Sequence, residues 1–413
     1  MKLNSPHARR TLIFSLAASL TVPASAVSAS NRQSTDPDTV NGAYVVVFKP
    51  GATNTVGAPA LADKVASAAG GQVVDTYRQA FLGFQLKGTA GAADLAAKDR
   101  DVAYVSPVLR TQVPPRRRPL LTENSQVTNW GLDRIDQATL PLSGTPYRPV
   151  RTGTGVTVYI IDTGVRFTHD EFAGRAVAGT DVADDGEGPY PPSPGEDCNG
   201  HGTHVAGVAA GQTYGVAPAA KVVSVRTQRC DGRGDTAGLI KAFNWILANA
   251  RGPSVVNLSV VSPRRNRALE DAARALVDEG ITVVAAAGNG DRGPVDACEL
   301  SPGAVDEVFT VSATSNDDNQ HPQYNYGSCV DVYSPGLGIR SAVNDDDSAS
   351  ETWDGTSFSA PHVSGAVAQY LQDYPRAKPS EVVKAIQQRA VKDVLKMSLP
   401  GPNLLLQVDT AER

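Results

Sequence analysis

Two rhythms of apolar and polar positions divide this chain. In the first, short β-rich runs alternate with alanine-rich stretches of helical spacing. Tyr44–Phe48, Gln72–Tyr77, Gly83–Leu86 and Val102–Val105 read as strands, and Ala60–Ala69 and Ala92–Lys98 as helices. That β-α-β-β-α-β order over residues 43–112 predicts a small α+β, ferredoxin-like domain. Beyond Trp130 the runs become almost continuously apolar: Val156–Ile161, Val222–Val225, Val255–Val260, Ile281–Ala286, Val308–Val311 and Val330–Tyr333. Helical stretches separate them at Thr236–Ala250, Arg267–Glu279, Ser357–Tyr374 and Pro379–Val391. Apolar strands alternating with helices predict an α/β fold whose mainly parallel sheet is covered on both faces. Ligand sites in such sheets lie beyond the carboxyl ends of the strands.

The N-terminus departs from both rhythms. Lys2, Arg9 and Arg10 precede an apolar run, Thr11–Val22, and Ala24-Ser25-Ala26 offers small residues for cleavage. This pattern predicts a signal peptide over 1–26 and a secreted, extracellular product; the run is too short to span a bilayer. The Arg9-Arg10 pair points weakly toward twin-arginine export, and the rest of the segment fits ordinary secretion better. Between the two domains, Val113-Pro-Pro-Arg-Arg-Arg-Pro119 cannot build regular structure and reads as an exposed linker or a processing site. The net charge of -5 argues against nucleic acid or an anionic membrane as a partner. Four cysteines in an exported chain favour two disulfides, and no C-x-x-C pair suggests zinc.

Four segments carry candidate chemistry. Asp162-Thr163-Gly164 directly follows a predicted strand, where a carboxylate can orient a neighbour or merely form a turn. Cys198-Asn-Gly-His201-Gly-Thr-His204 holds two of the six histidines. They read either as an H-x-x-H metal pair or as a general base, His201, followed by a structural His204. Ala285-Ala-Ala-Gly288-Asn289 ends another strand with an amide able to donate to an oxyanion. In Gly355-Thr-Ser357-Phe-Ser-Ala-Pro361-His-Val363, Ser357 stands at a predicted helix N-terminus. A serine there is ordinarily a cap, and it is also where unpaired N–H groups favour negative charge. Pro361 is expected in the first helical turn, where proline is tolerated.

Taken in order, Asp-Thr-Gly, His-Gly-Thr-His-Val-Ala-Gly and Gly-Thr-Ser-x-x-x-Pro-His-Val resemble the subtilisin family of serine proteases. The similarity is greatest to the proteinase K and aqualysin branch and runs from about Asn129 to near the C-terminus. It implies a three-layer subtilisin-like domain at 127–413 and a serine endopeptidase using Asp162, His201 and Ser357, with Asn289 as oxyanion donor. Segment 27–112 resembles the family's inhibitory propeptide, implying a self-processed zymogen with a processing linker at 113–126. Extended peptide substrates would pair with Leu258, Ser259, Val260, Val261 and Ser262 and with Gly234. The resemblance further implies disulfides Cys198–Cys230 and Cys298–Cys329, a monomer, and no catalytic cofactor. It also implies structural calcium at Asp331, with Asp306 and Val308 supplying carbonyls.

Departures from the family are informative. Ser259-Val260-Val261-Ser262 stands where the family has Ser-Leu-Gly-Gly, so Val261 should narrow or reshape the primary pocket. Phe358 replaces the methionine that usually follows the nucleophile, removing a site of oxidation. Asp184–Pro194 reads as a surface insertion near the cleft mouth, and Asn257-Leu258-Ser259 as a sequon too buried to be glycosylated. Two rival readings, a non-catalytic binding protein on this fold and a free inhibitor formed by 43–112, accommodate fewer of these features.

Overall fold

Alternate side chains of β1 (Thr39–Phe48) face two different cores. Val46 and Phe48 pack with helices α1 (Ala58–Ala69) and α2 (Ala90–Ala96), while Val45 and Val47 face away, toward the larger domain. The computed structural model describes residues 36–114, 129–186, 188, 190–290 and 293–409. The expected signal segment and most of the expected linker, 115–126, lie outside the described residues.

With β2 (Gln72–Tyr77), β3 (Gly83–Lys87) and β4 (Val102–Gln112), β1 forms an antiparallel sheet of order β2-β3-β1-β4. The β-α-β-β-α-β order is as expected. Several boundaries differ: β1 begins at Thr39 and α1 at Ala58, both earlier than expected. Helix α2 begins two residues early because the Thr89 hydroxyl caps it by accepting from Ala92 N–H at 3.2 Å. Strand β4 runs past Val105 to Gln112 because Ser106, Pro107 and Leu109 still pair with β1 and a strand from the larger domain pairs with Arg110–Gln112.

The larger domain proceeds through α3 (Trp130–Ile135), β5 (Thr157–Asp162), β6 (Ala176–Asp181), α4 (His201–Ala210), β7 (Lys221–Arg226), β8 (Arg233–Asp235), α5 (Thr236–Asn249) and β9 (Ser254–Leu258). Next come α6 (Arg267–Asp278), β10 (Thr282–Ala286), β11 (Phe309–Thr314), β12 (Val332–Pro335) and the hairpin β13 (Ile339–Ala342) with β14 (Ser350–Trp353). Helices α7 (Thr356–Asp373) and α8 (Pro379–Arg389) and the short strands β15 (Val391–Lys392) and β16 (Leu404–Leu405) complete it. The main sheet has the order β15-β16-β12-β11-β10-β9-β5-β7-β6 and is parallel except at β15–β16. One face buries an apolar layer with α4, α7 and α8, the other with α5 and α6. This is the three-layer arrangement that the run of apolar strands predicts.

The N-terminal sheet lies on α5 and α6. The Asn244 side-chain oxygen accepts three successive backbone N–H groups, from Arg78, Gln79 and Ala80, at 2.9–3.3 Å. Lys241 pairs with Asp75 at 2.9 Å, and the Tyr104 hydroxyl donates to Asp271 at 2.5 Å. Arg267 stacks over the Tyr104 ring at 4.0 Å. Strand β8 then joins β4 antiparallel, pairing Arg110 with Asp235, Thr111 with Gly234 and Gln112 with Arg233. The two domains thus share a continuous five-stranded sheet, β2-β3-β1-β4-β8.

Candidate active site

Strand β5 lies between β9 and β7, where the strand order reverses, and its last residue is Asp162. A crevice opens at such a point. The His201 Nδ1–H donates to Asp162 Oδ1 at 2.7 Å, and both side chains are buried. Thr163 N–H donates to the same oxygen at 2.7 Å. His201 is the first residue of α4, and Gly202 allows the close approach. A β-carbon on Gly202 would lie 2.1 Å from the Gly164 carbonyl oxygen and 3.1 Å from Asp162 Cβ.

Asp197, which the sequence reading passed over, holds these two segments together. Its buried carboxylate accepts from the Thr163 and Thr203 hydroxyls at 2.9 and 2.6 Å. It also accepts from the N–H groups of Asn199, Gly200 and Thr203 at 2.8–2.9 Å. An anion here satisfies donors that the start of α4 leaves unpaired. Its position four residues before the histidine was the available signal.

Pro361 does not lie in the first turn of α7, contrary to expectation. The helix begins at Thr356, so the proline sits in the second turn. Having no N–H, it leaves the carbonyl of Ser357, four residues earlier, without its helical donor. The Ser259 hydroxyl supplies one at 2.8 Å, while the Ser357 hydroxyl donates to the Ser259 carbonyl at 3.2 Å. Sequence reasoning placed Ser259 only among substrate contacts; it also clamps the start of α7. The Nε2 of His201 is buried and has no hydrogen-bond partner among the described residues. The Phe358 ring lies 5.4 Å from the His201 ring, so the segment carrying Ser357 packs against that histidine.

Asn289 is oriented by the same segment. Its side-chain oxygen accepts from Thr356 N–H at 2.9 Å and from the Thr356 hydroxyl at 2.8 Å. With its oxygen so occupied, the amide NH2 remains the donor end. Thr356 Oγ1 also accepts from Gly288 N–H at 3.1 Å, tying the β10 loop to α7.

His204 takes a different role. Its Nε2–H faces the carbonyls of Ile339 and Glu351 at 3.1 and 3.2 Å, and its ring stacks on Trp353 at 4.6 Å. Burial, reinforced by nearby His201, pushes it down to about 3, so it is neutral. Among the described residues no group of three or more His, Cys, Asp or Glu side chains is placed to hold a metal, so the H-x-x-H pair lacks further ligands. Burial likewise lowers His362 to about 4, and its Nδ1–H donates to Phe358 O at 2.7 Å.

The other predicted residues distribute as follows. Gly234 lies on β8, paired with β4. Leu258 ends β9, whereas Ser259–Ser262 lie outside any strand, and Ser262 N–H donates to Ser301 O at 2.9 Å. Asn257 is buried, its amide engaged by Ser259 and Ser364. Cysteines pair as Cys198–Cys230 and Cys298–Cys329, with Cα separations of 5.0 and 5.3 Å. The Asp184–Pro194 insertion is anchored rather than merely exposed: Asp185 forms a two-oxygen ion pair with buried Arg226 at 2.6 and 2.8 Å. Asp331, Asp306 and Val308 line one cavity of about 210 Å³ with Gly303, Val305, Ser328 and Cys329. Burial pushes Asp331 up to about 6 despite a 2.8 Å bond from Thr310 N–H. Gln387 Nε2 donates to the other Asp331 carboxylate oxygen at 3.3 Å, and this half-buried, all-oxygen site suits a hard cation with backbone carbonyls as co-ligands.

Comparison with known proteins agrees with this arrangement. The profile of the subtilase family (Peptidase S8) matches residues 153–406. An extracellular serine proteinase of Thermus sp. (strain Rt41A) is 37% identical over 388 residues, covering 90% of each chain. Alkaline serine exoprotease A of Vibrio alginolyticus is 44% identical over 274 residues, 66% of this chain and 49% of its own length. The crystal structure of a cold-adapted subtilisin-like serine proteinase superposes with a TM-score of 0.63 at 39% identity. That match covers 70% of this chain and all of the other.

The Ser259–Ser357 clamp makes a quantitative prediction. Ser259→Ala leaves the Ser357 carbonyl buried without a donor, costing about 1–3 kcal/mol of unfolding free energy. Adding Pro361→Ala supplies a helical N–H to that carbonyl and should recover part of the loss. Denaturant titration of the single and double variants checks this; equal stability of Ser259→Ala and the parent would refute it.

Proposed function

This chain belongs to the subtilase family and is a serine endopeptidase, and on that premise we propose that Asp162, His201 and Ser357 are its catalytic triad, with Asn289 as oxyanion donor. The observation that carries this reading is the buried 2.7 Å Asp162–His201 bond, which leaves Nε2 as the proton-accepting nitrogen beside the start of α7. As substrate binds, the Ser357 hydroxyl turns from the Ser259 carbonyl to His201 Nε2. Its oxygen attacks the peptide carbonyl as the imidazole takes the proton, and Asp162 stabilises the resulting imidazolium. The oxyanion receives the Asn289 amide and the Ser357 backbone N–H. His201 then protonates the departing amine, and water hydrolyses the acyl-enzyme by the same steps in reverse.

The N-terminal domain reads as an inhibitory, folding-assisting segment of a zymogen. Its strand β4 lies along β8, the edge an extended substrate would use, which supports that role. Maturation would remove residues 1–112 and some part of the 113–126 linker, giving a secreted monomer acting on peptides or proteins. The extracellular Thermus relative and the N-terminal apolar segment support export. Structural calcium would bind Asp331 with the carbonyls of Asp306 and Val308; bound there, it would neutralise a half-buried carboxylate. No catalytic cofactor enters this mechanism.

Three outcomes test this reading. Ser357→Ala should lose peptidase activity by several orders of magnitude and accumulate at full length, while the parent is inactivated by phenylmethylsulfonyl fluoride and shortened near residues 112–124. An active or normally shortened Ser357→Ala protein would refute autocatalysis by Ser357. A β-carbon on Gly288, beside Asn289, would lie only 3.3 Å from Val261 Cγ2, so the valine methyl crowds the region expected to hold the P1 side chain. Val261→Gly should therefore raise kcat/KM for aromatic over alanine P1 residues by about tenfold or more; an unchanged profile would exclude Val261 from the pocket. Chelation of calcium should lower Tm by several degrees in the parent and leave Asp331→Asn unaffected, as read by calorimetry with and without EDTA.

A further inference from the structure

Under the β4–β8 pairing lies a buried amide that the catalytic mechanism does not use. Gln228 is fully buried, and its backbone N–H donates to the Asp162 carbonyl at 3.1 Å, which places it beside the active site. Its side chain runs beneath β8. A β-carbon on Gly234 would come within 2.5–2.7 Å of the Gln228 amide atoms, so this path exists only because residue 234 is glycine. The amide thereby reaches one side chain of the strand lying on β8. The buried Thr111, paired in register with Gly234, donates its hydroxyl to Gln228 Oε1 at 3.2 Å. At the other end, Gln228 Nε2 donates to Thr227 Oγ1 at 3.2 Å. Beyond Thr111, Val113 N–H donates to Gly232 O at 2.9 Å, continuing the same extended pairing.

We propose that Gln228 is a specificity-determining residue that selects peptide substrates carrying a hydroxyl side chain, threonine or serine, at the position Thr111 occupies against Gly234. This inference rests on reading β8 as the edge that substrate adds to. The selection follows from the chemistry of the pocket. A valine has the shape of threonine but cannot donate, so it would leave Gln228 Oε1 buried without a partner. The discrimination arises mainly from that penalty. Polarity alone does not suffice, since a longer amide side chain would collide with the Gln228 amide already filling the space under Gly234.

Isosteric peptides provide the test. The processed enzyme is assayed with fluorogenic peptides that place threonine or valine at each of the second to fifth residues before the scissile bond. At one of these positions the parent should prefer threonine in kcat/KM by on the order of tenfold. Gln228→Leu should abolish or invert that preference, and Gln228→Met serves as the comparison if the leucine variant does not accumulate. A ratio within twofold at every position, or a preference unchanged in both variants, overturns the role of Gln228 while leaving the peptidase reading intact. Failure of the parent to cleave any peptide would instead remove the reading on which this inference rests.

Discussion

The arrangement at the start of α7 depends on a hydrogen bond that a proline withholds. An uninterrupted helix would bond the carbonyl of Ser357 to the N–H of residue 361. Pro361 has no such donor, and the carbonyl turns to the Ser259 hydroxyl, which sits just past the end of β9. Through this bond a helix defect becomes an attachment between α7 and the carboxyl edge of the sheet. The first turn of α7 is further tied to the β10 loop through Thr356 and Asn289. Ser357 and Asn289, the proposed nucleophile and oxyanion donor, are therefore positioned by one set of bonds. Preorganisation of this kind is what lets fixed dipoles stabilise a developing charge without rearranging.

Electrostatics on the histidine side follow the same logic. Asp162 is buried and can be tolerated there as an anion only with compensating donors. Thr163 N–H and His201 supply them on one oxygen. Asp197 adds a second buried carboxylate nearby, yet it accepts from five donors on two short segments, Thr163 and residues 199–203. One carboxylate thus orients the imidazole while the other holds the backbone that carries it. Arg226 plays a comparable role at the next strand, where it joins Asp181 and Asp185 beside the Cys198–Cys230 disulfide. Asp185 in the 184–194 insertion is consequently fastened to Arg226 at the end of β7.

Much of this was legible in the sequence because it depends on local pattern. Continuous apolar runs identify buried parallel strands whatever their order, and the residues following Val156–Ile161 and Ile281–Ala286 fall at strand ends by necessity. Asp162 and Asn289 are singled out that way, whereas His201 and Ser357 are singled out by short motifs at helix starts. What escaped depends on contacts between distant segments. Nothing local marks Ser259 as the partner of a carbonyl 98 residues away, or Asp197 as a hub for Thr163 and Thr203. Strand β4 extends past Val105 for the same reason, since Ser106, Pro107 and Leu109 pair with distant β1 and Arg110–Gln112 with β8. Pro361 was misplaced because a proline in the second turn is normally disallowed, and only the Ser259 hydroxyl makes it acceptable.

The pairing of β4 with β8 connects the fold to the inhibitory role proposed for the N-terminal domain. An edge strand offers unpaired donors and acceptors to any extended chain. In this molecule the N-terminal domain claims that edge first. Its grip comes chiefly from elsewhere: Asn244 binding three backbone N–H groups, Lys241 with Asp75, and Tyr104 between Asp271 and Arg267. Binding energy gathered on α5 and α6 can thus hold a strand across the cleft even where its own side chains fit the pocket imperfectly. A substrate lacks those remote contacts and must bind through the cleft alone. Subsite chemistry such as the Gln228 amide therefore weighs more heavily on substrate choice than on retention of the N-terminal domain. On the reading proposed above, inhibition and selectivity would rest on separate contacts to a single strand-binding edge.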